Sequence, residues 1–450
     1  MSSKKQKQNR DKAWVIAVNM GYGHQRAAYP FKSIAKDGII IANDYPGIPR
    51  SDKRKWEGSR AFYELVSRAK QIPIIGETIF DFYDNAFQKI ENFYPKRDLS
   101  APNFQLRQIY RMIKNGWGED LIKILNQKSE LPLLTSFFVP AFFAEEHGYK
   151  GEVYCMLCDA DISRVWAPLI PQKTRIKYLA SNTRVAERLK LYGVPAKNII
   201  LTGFPLPKEN IGGRDMSILK KDLWERVHHL DPKHTFINKY HQSLVRYIDH
   251  DGNKSFKSKL LTLTFAVGGA GAQRDLGLVI LKSLEKDLFE QKIKINLVAG
   301  VRNDVYCFFK KYIEKTKLKK LLGKNVNIIY APDKNAYFEK FNQLLRDTDI
   351  LWTKPSELAF YAGLGIPIIM APPIGSQEKF NQRWLETIGG GLDQLDPKYT
   401  HQWLFDWIYS GWLAEAAFEG FLDAPKFGTY RIEQIIFKRE TKEEKGVVLL

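Results

Sequence analysis

An α/β protein of two Rossmann-like domains facing one another across a cleft is expected from three features of the chain. Short apolar strands alternate with helical runs along most of its length. Two of those strands run straight into glycine-rich turns, Gly21-Tyr22-Gly23-His24 and Gly268-Gly269-Ala270-Gly271-Ala272-Gln273, about half a chain apart. At 450 residues the sequence also exceeds one comfortable core, on a prior of roughly 100 to 200 residues per domain. Strands alternating with helices imply a parallel sheet whose polar loops gather at the carboxyl ends of the strands, where such sheets bind ligands. The expected organisation is an N-terminal domain at 1–209, a linker with a helical insertion at 210–259 and a C-terminal domain at 260–450.

In the first half, residues 13–19 read as a buried strand that turns through Gly21, Tyr22 and Gly23 into a helix reaching Ala28. Such a turn lets backbone amides approach a phosphate or an acceptor oxygen, and the helix N-terminus adds positive potential. His24 stands at its mouth; taken alone, the turn is equally a tight bend beside a solvated histidine. A second strand at 39–42 ends at Asn43 and Asp44. From Arg50 to Arg97 aromatic residues alternate with Lys and Arg, which fits either a segment lying on an anionic bilayer or a helical pair with solvated lysines. A helix at 118–126, a strand at 131–135 and a helix at 141–147 follow. The strand at 153–157 ends at Cys158-Asp159-Ala160-Asp161, with Trp166 beyond, and carboxylates at a strand end are placed to accept a proton or orient a hydroxyl. Strand 176–180, helix 183–192 and strand 199–202 close the half. The 210–259 region carries His228, His229, His234 and His241, which read as a solvated face rather than metal ligands.

In the second half, strand 261–267 enters the second glycine turn and a helix at 275–288. Strand 293–298 leads to Gly300-Val301-Arg302-Asn303, strand 326–330 follows, and a helix spans 338–345. The densest stretch is 349–391: strand 350–352, a polar loop at 353–357, helix 358–364, strand 366–370, a loop at 372–378 and helix 380–387. Its loops bring Lys354, Ser356, Glu357, Gln377, Glu378 and Asn381, a set suited to hydroxyls and phosphates. An aromatic helix at 403–418 and a basic tail end the chain.

Thr353-Lys354-Pro355-Ser356-Glu357, then Gly365-Ile366-Pro367-Ile368-Ile369-Met370, then Gly375-Ser376-Gln377-Glu378-Lys379-Phe380-Asn381 and the Gly389-Gly390-Gly391 run resemble the nucleotide-sugar half of GT-B glycosyltransferases. The nearest kin by these motifs are the monogalactosyldiacylglycerol synthases, the processive diacylglycerol glucosyltransferases and the enzyme that adds N-acetylglucosamine to lipid-linked cell-wall precursors. The resemblance implies an inverting transfer of a hexose or N-acetylhexosamine from a UDP-sugar to a hydroxyl acceptor such as a membrane lipid. Glu357 would hold the ribose, and Gln377, Glu378 and Asn381 the sugar. Gly268, Gly269, Gly271 and Gln273 would meet the diphosphate, with Arg302, Asn303, Lys354 and Ser356 beside them. His24 would act as base with Asp159 or Asp161 behind it, and Gly21, Tyr22, Gly23 and Trp166 would line the acceptor side. Four departures stand out: the 353–367 loop is shorter than the family form, which sets the family's Glu near Phe360; Tyr22 replaces a glycine; Thr135-Ser136 replaces Thr-His; and Arg164 stands about where a family His is expected.

The formal charge of +19 favours an anionic partner, a nucleic acid or an acidic membrane surface. No nucleic-acid module is recognisable, so the membrane surface is the expectation. The longest uncharged apolar segment, 131–144, contains Pro132 and Pro140 and falls short of the roughly 20 residues that a spanning helix needs. The N-terminus lacks a signal-peptide core, and a cytoplasmic protein, peripheral on the inner face of the cell membrane, is expected. Three cysteines make no disulfide framework, and Cys155 and Cys158 read as core residues. No metal or cofactor is expected beyond the UDP-sugar co-substrate. Two rival readings are a UDP-N-acetylglucosamine 2-epimerase, which isomerises the same donor without an acceptor, and a non-catalytic binder of nucleotide sugar or nucleic acid.

Overall fold

Strands that are buried at every position need cover on both faces, and parallel sheets wrapped by helices provide it. The computed structural model describes residues 11–58, 90–128, 130–248, 259–266, 268, 271 and 273–438. Two units divide the chain: one comprises Met1–Pro205, Gly375–Phe380 and Phe427–Leu450, the other Leu206–Ile374 and Asn381–Lys426. Each contains a six-stranded sheet, and every strand pairing within the two sheets is parallel.

The first sheet comprises β1 (Trp14–Ala17), β2 (Ile40–Ile41), β3 (Leu133–Thr135), β4 (Val153–Met156), β5 (Lys177–Ala180) and β6 (Ile199–Leu201), in the order β2-β1-β3-β4-β5-β6. Ile16 lies opposite Ile40 on one side and Thr135 on the other. Alternate residues of each strand feed opposite cores. Trp14, Ile16, Leu133 and Val153 pack with Leu106, Ile109 and Ile113 of the helix Phe104–Lys114 and with Phe138, Phe142 and Phe143 of the helix Phe138–Glu146. Val15, Ala17, Leu134, Tyr154 and Leu179 pack with Ile432 and Ile436 of the helix Gly428–Ile436.

The second sheet comprises β7 (Leu261–Ala266), β8 (Ile293–Gly300), β9 (Val326–Tyr330), β10 (Ile350–Thr353), β11 (Ile368–Met370) and β12 (Gly391–Asp393). Its order, β9-β8-β7-β10-β11-β12, is the 3-2-1-4-5-6 order of dinucleotide-binding sheets. Two buried charges fasten its base. Asp349 is fully buried; one carboxylate oxygen accepts the Thr262 amide at 2.8 Å, and the other faces His229 Nδ1 at 3.1 Å and Lys259 Nζ at 3.5 Å. Arg226, on the helix Ser217–Leu230, donates to the carbonyls of Thr348, Leu364, Gly365 and Leu345 at 2.8–3.3 Å. A guanidinium's fork of donors suits several carbonyls at once, so the charge stays buried with partners.

Several expectations change. The last helix joins the first unit instead of ending the second, because Ile432 and Ile436 cover an apolar sheet face there. The helical insertion expected at 210–259 consists of the helices Ser217–Leu230 and Thr235–Ile248, which belong to the second unit, with Arg226 tied to its carbonyls. The aromatic helix at 403–418 is two helices, Thr400–Tyr409 and Trp412–Asp423, parted at Gly411, whose φ of +79° a left-handed turn requires. The helix at 358–364 is a 3₁₀ segment, Glu357–Leu364. In the basic aromatic segment, Trp56 is buried against Trp117 at 4.8 Å, whereas residues 59–89, on which the bilayer reading chiefly rests, lie outside the described residues.

Gly428 begins the returning helix with its Cα beside the preceding chain. A Cβ there would meet the Phe204 carbonyl oxygen at 2.2 Å, a backbone atom that cannot turn aside. Gly428→Ala is expected to destabilise the first unit by about 2 kcal/mol or more. Thermal denaturation should show the loss, together with faster amide exchange in the helix Gly428–Ile436.

Candidate functional site

In the second sheet the chain leaves β7 toward β8 on one side and later returns to β10 on the other, so the carboxyl ends of β7 and β10 flank the switch point. Gly268 and Gly271 follow β7, and Lys354 follows β10 directly. A Cβ on Gly268 would lie 2.8 Å from Lys354 Cε and 3.7 Å from its Nζ. One on Gly271 would lie 3.5 Å from Arg302 Cζ and Nη2. The glycines therefore let two cations lie against the turn. Gln273, at a φ of +67°, precedes the helix Arg274–Ser283, and its Nε2 donates to the Pro372 carbonyl at 3.0 Å, tying the turn to the loop after β11.

Arg302 is pre-set by Asp304, with Nε and Nη2 donating to the two carboxylate oxygens at 2.9 and 2.8 Å. That hydrogen-bonded guanidinium holds the Asp304 carboxyl below its ordinary range. Asn303 is exposed at the start of the helix Asn303–Glu314. Ser356 and Glu357 are half-buried where β10 passes into the 3₁₀ segment. Phe360, the position to which the shortened loop moves the family's Glu, is buried against Trp384 with ring centroids 4.7 Å apart. Of the two, Glu357 stays partly exposed and Phe360 does not. Gln377 and Glu378 are half-buried in the first turn of the helix Ser376–Thr387, and Asn381, fully buried, stands one turn on along the same side. Gly269 lies outside the described residues.

In the first sheet the switch falls between β1 and β3. His24 is half-buried in the helix Gly23–Ala28, and its Nδ1 lies 2.8 Å from the Ser136 carbonyl oxygen. A carbonyl can only accept, so Nδ1 carries the proton and the basic lone pair of the neutral ring belongs to Nε2. The rings of Phe137 and Trp166 stand 4.7 and 6.1 Å from the imidazole. Tyr22 and Trp166 are buried, and Gly21 is exposed at a φ of +87°. Ser136 and Phe137 were not among the expected site residues. Their signal was present, since the strand at 131–135 neighbours the first strand and ends beside the same turn.

The two carboxylates separate. Asp161 is fully buried, receiving Arg184 Nε at 2.7 Å, Arg188 Nε at 2.9 Å, Arg188 Nη2 at 2.8 Å and the Ile162 amide at 2.9 Å. This corrects the expectation of a catalytic role: both oxygens are taken by cations, so no lone pair is available to an acceptor. The spacing of Arg184 and Arg188, one helical turn apart, was the overlooked clue. Asp159 is half-buried, and its main-chain carbonyl accepts Ser181 Oγ at 2.7 Å. Arg164, expected near a family His, is a clamp on main-chain carbonyls, donating to Ser100, Ala167 and Pro168 at 2.6–3.0 Å. Cys155 and Cys158 are buried and unbridged. Among the described residues no cluster of three or more His, Cys, Asp or Glu could hold a metal ion, and no helix is long and apolar enough to cross a membrane.

The class defined by this geometry is a two-unit α/β protein with a cationic glycine turn at the switch point of its second sheet. Comparison with known proteins narrows the resemblance. The chain is 21% identical over 388 residues to a processive diacylglycerol beta-glucosyltransferase of Bacillus pumilus, covering 85% of this chain and 82% of that one. The resemblance to processive diacylglycerol glucosyltransferases therefore extends along most of the sequence. A family model described as "Domain of unknown function (DUF6938)" matches residues 306–408. Among solved structures, MurG of Acinetobacter baumannii is 13% identical at a TM-score of 0.47, covering 95% of this chain and 99% of that one. S. aureus MnaA with UDP is 11% identical at a TM-score of 0.44, covering 83% and 92%.

Removing the Asp161 carboxylate would leave the buried Arg188 charge without its counter-ion. Asp161→Ala is expected to cost roughly 3–5 kcal/mol of folding stability, read as a lower midpoint in urea unfolding. A variant as stable as the parent would return Asp161 to the list of catalytic groups.

Proposed function

We propose that this chain is an inverting glycosyltransferase that moves a hexose or N-acetylhexosamine from a UDP-sugar to the hydroxyl of a membrane lipid on the cytoplasmic face. The observation that carries the reading is the turn at Gly268 and Gly271 with Lys354 and Arg302 against it. A departing nucleoside diphosphate needs such a cradle, because charge develops on its oxygens as the bond to the sugar breaks. Similarity to a diacylglycerol glucosyltransferase along 85% of the chain supports the lipid acceptor.

In this reading His24 Nε2 takes the proton of the acceptor hydroxyl while the acceptor oxygen attacks the anomeric carbon from the face opposite the diphosphate. The carbon–oxygen bond to UDP breaks, and its electron pair leaves on the diphosphate, met by Lys354, Arg302, amides of the turn and the helix N-terminus. The Ser136 carbonyl keeps the proton on Nδ1, so the ring is oriented before the acceptor arrives. Glu357 holds the ribose and Gln377, Glu378 and Asn381 hold the sugar hydroxyls. Asn303 and Ser356 border the diphosphate, Gly21, Tyr22, Gly23 and Trp166 border the acceptor, and Asp159 is the remaining carboxylate that can assist the base. No metal or cofactor forms part of the reading.

The test is UDP release from UDP-glucose, UDP-galactose and UDP-N-acetylglucosamine, with and without diacylglycerol in vesicles. Transfer that requires the lipid is the expected result. Lys354→Met should weaken UDP binding by about tenfold, on the scale of one charge-assisted contact, whereas Gln377→Ala should keep UDP affinity and lose transfer. His24→Ala should lower kcat by roughly 100- to 10,000-fold with UDP affinity intact. Isomerised sugar without UDP release would replace the reading with an epimerase, and no donor binding would end it.

A further inference from the structure

The second unit carries a charged surface that the donor site does not use. Between positions 311 and 324 stand Lys311, Lys315, Lys317, Lys319, Lys320 and Lys324, all exposed, against Glu314 alone. Glu314 pairs with Lys310 at 3.9 Å, and none of the six forms an ion pair with a carboxylate among the described residues. The 3₁₀ turn Lys317–Leu321 organises them. With three residues per turn, Lys317 and Lys320 stand in one row and Lys319 beside it, while Leu318 is fully buried and anchors the turn.

The turn joins the helix Asn303–Glu314 to β9, so the lysines lie at the end of the sheet away from the glycine turn. Helix Glu285–Phe289 packs on the same 3₁₀ turn, and Asn325 Nδ2 donates to the Leu288 carbonyl. Phe289, 39% exposed, ends that helix. Exposed lysines without an ion pair among the described residues, and with no arginine among them, match mobile lipid phosphates. A nucleic acid wants a groove that follows its backbone and rings that stack its bases.

We propose that this face, centred on Lys317, Lys319 and Lys320, docks the protein on an anionic lipid bilayer. It extends the lipid-acceptor reading above, on which its biological sense rests, by naming where the second unit meets the membrane. The lysines attract the headgroups over a Debye length.

The test is co-sedimentation of the full chain, without donor, on phosphatidylglycerol–phosphatidylcholine vesicles and on pure phosphatidylcholine. Binding should require the anionic lipid and weaken as salt rises. The triple variant Lys317→Gln, Lys319→Gln, Lys320→Gln should bind on the order of 100-fold more weakly at low salt, with an unchanged melting temperature. Lys123→Gln, Lys150→Gln, Lys190→Gln removes the same charge from lysines paired with Glu119, Glu130 and Glu187, and should bind as the parent does. Equal losses in both triples, no loss in the first, or capture of an oligonucleotide but not vesicles would overturn the proposal. Transfer to a short-chain, water-soluble diacylglycerol is measured separately: its persistence without vesicle binding removes the docking face alone, and its absence with vesicle binding removes the glycosyltransferase alone.

Discussion

Parallel pairing is the constraint from which the rest of the structure follows. A parallel neighbour can be reached only through a crossover, so the strands are joined by crossing segments, most of them helical, and the loops gather at two edges of the sheet. Where the winding changes direction, two adjacent strands send their loops apart and leave a crevice. In the first unit that place falls between β1 and β3, where the Ser136 carbonyl meets His24. In the second it falls between β7 and β10, where Gly268 meets Lys354. Residues far apart in the sequence are thus brought together by strand order.

Charged groups fall into two physical kinds. Asp161, Asp349 and Arg226 are buried and saturated by protein partners, and taking one partner away leaves an uncompensated charge in a medium that solvates it poorly. Such groups fasten the fold. Lys354 and Arg302 are half-buried instead, and each lies against its glycine turn. The distinction decides between two carboxylates that look alike in Cys158-Asp159-Ala160-Asp161: saturation by two guanidinium groups makes Asp161 a structural ion, while Asp159 retains partial exposure.

The exposed positive charge is a third kind. Six lysines on and around one 3₁₀ turn gain nothing in folding from being together, since like charges repel. Leu318, fully buried, explains why the turn keeps its shape. A surface of that composition has its use in association rather than in stability.

Much of this architecture was legible from local patterns. Apolar runs of strand length, glycines after two of them and the polar loops of 349–391 are properties of neighbouring residues, and strand and helix preferences act over the same short range. The helices were found with blurred ends, and Phe104–Lys114 was not anticipated, because its apolar face matches a sheet that the local window does not contain. Other features depend on residues distant in sequence. The His24 tautomer is set by a carbonyl 112 positions away, the Arg302 placement by a glycine after another strand, and the home of the last helix by Ile432 and Ile436 finding the first sheet. Periodicity specifies that a segment has an apolar face or a turn, because that is written in adjacent side chains. Which surface the face covers, and which charges are neutralised there, is settled by packing, because burial and hydrogen-bond satisfaction are properties of the assembled chain.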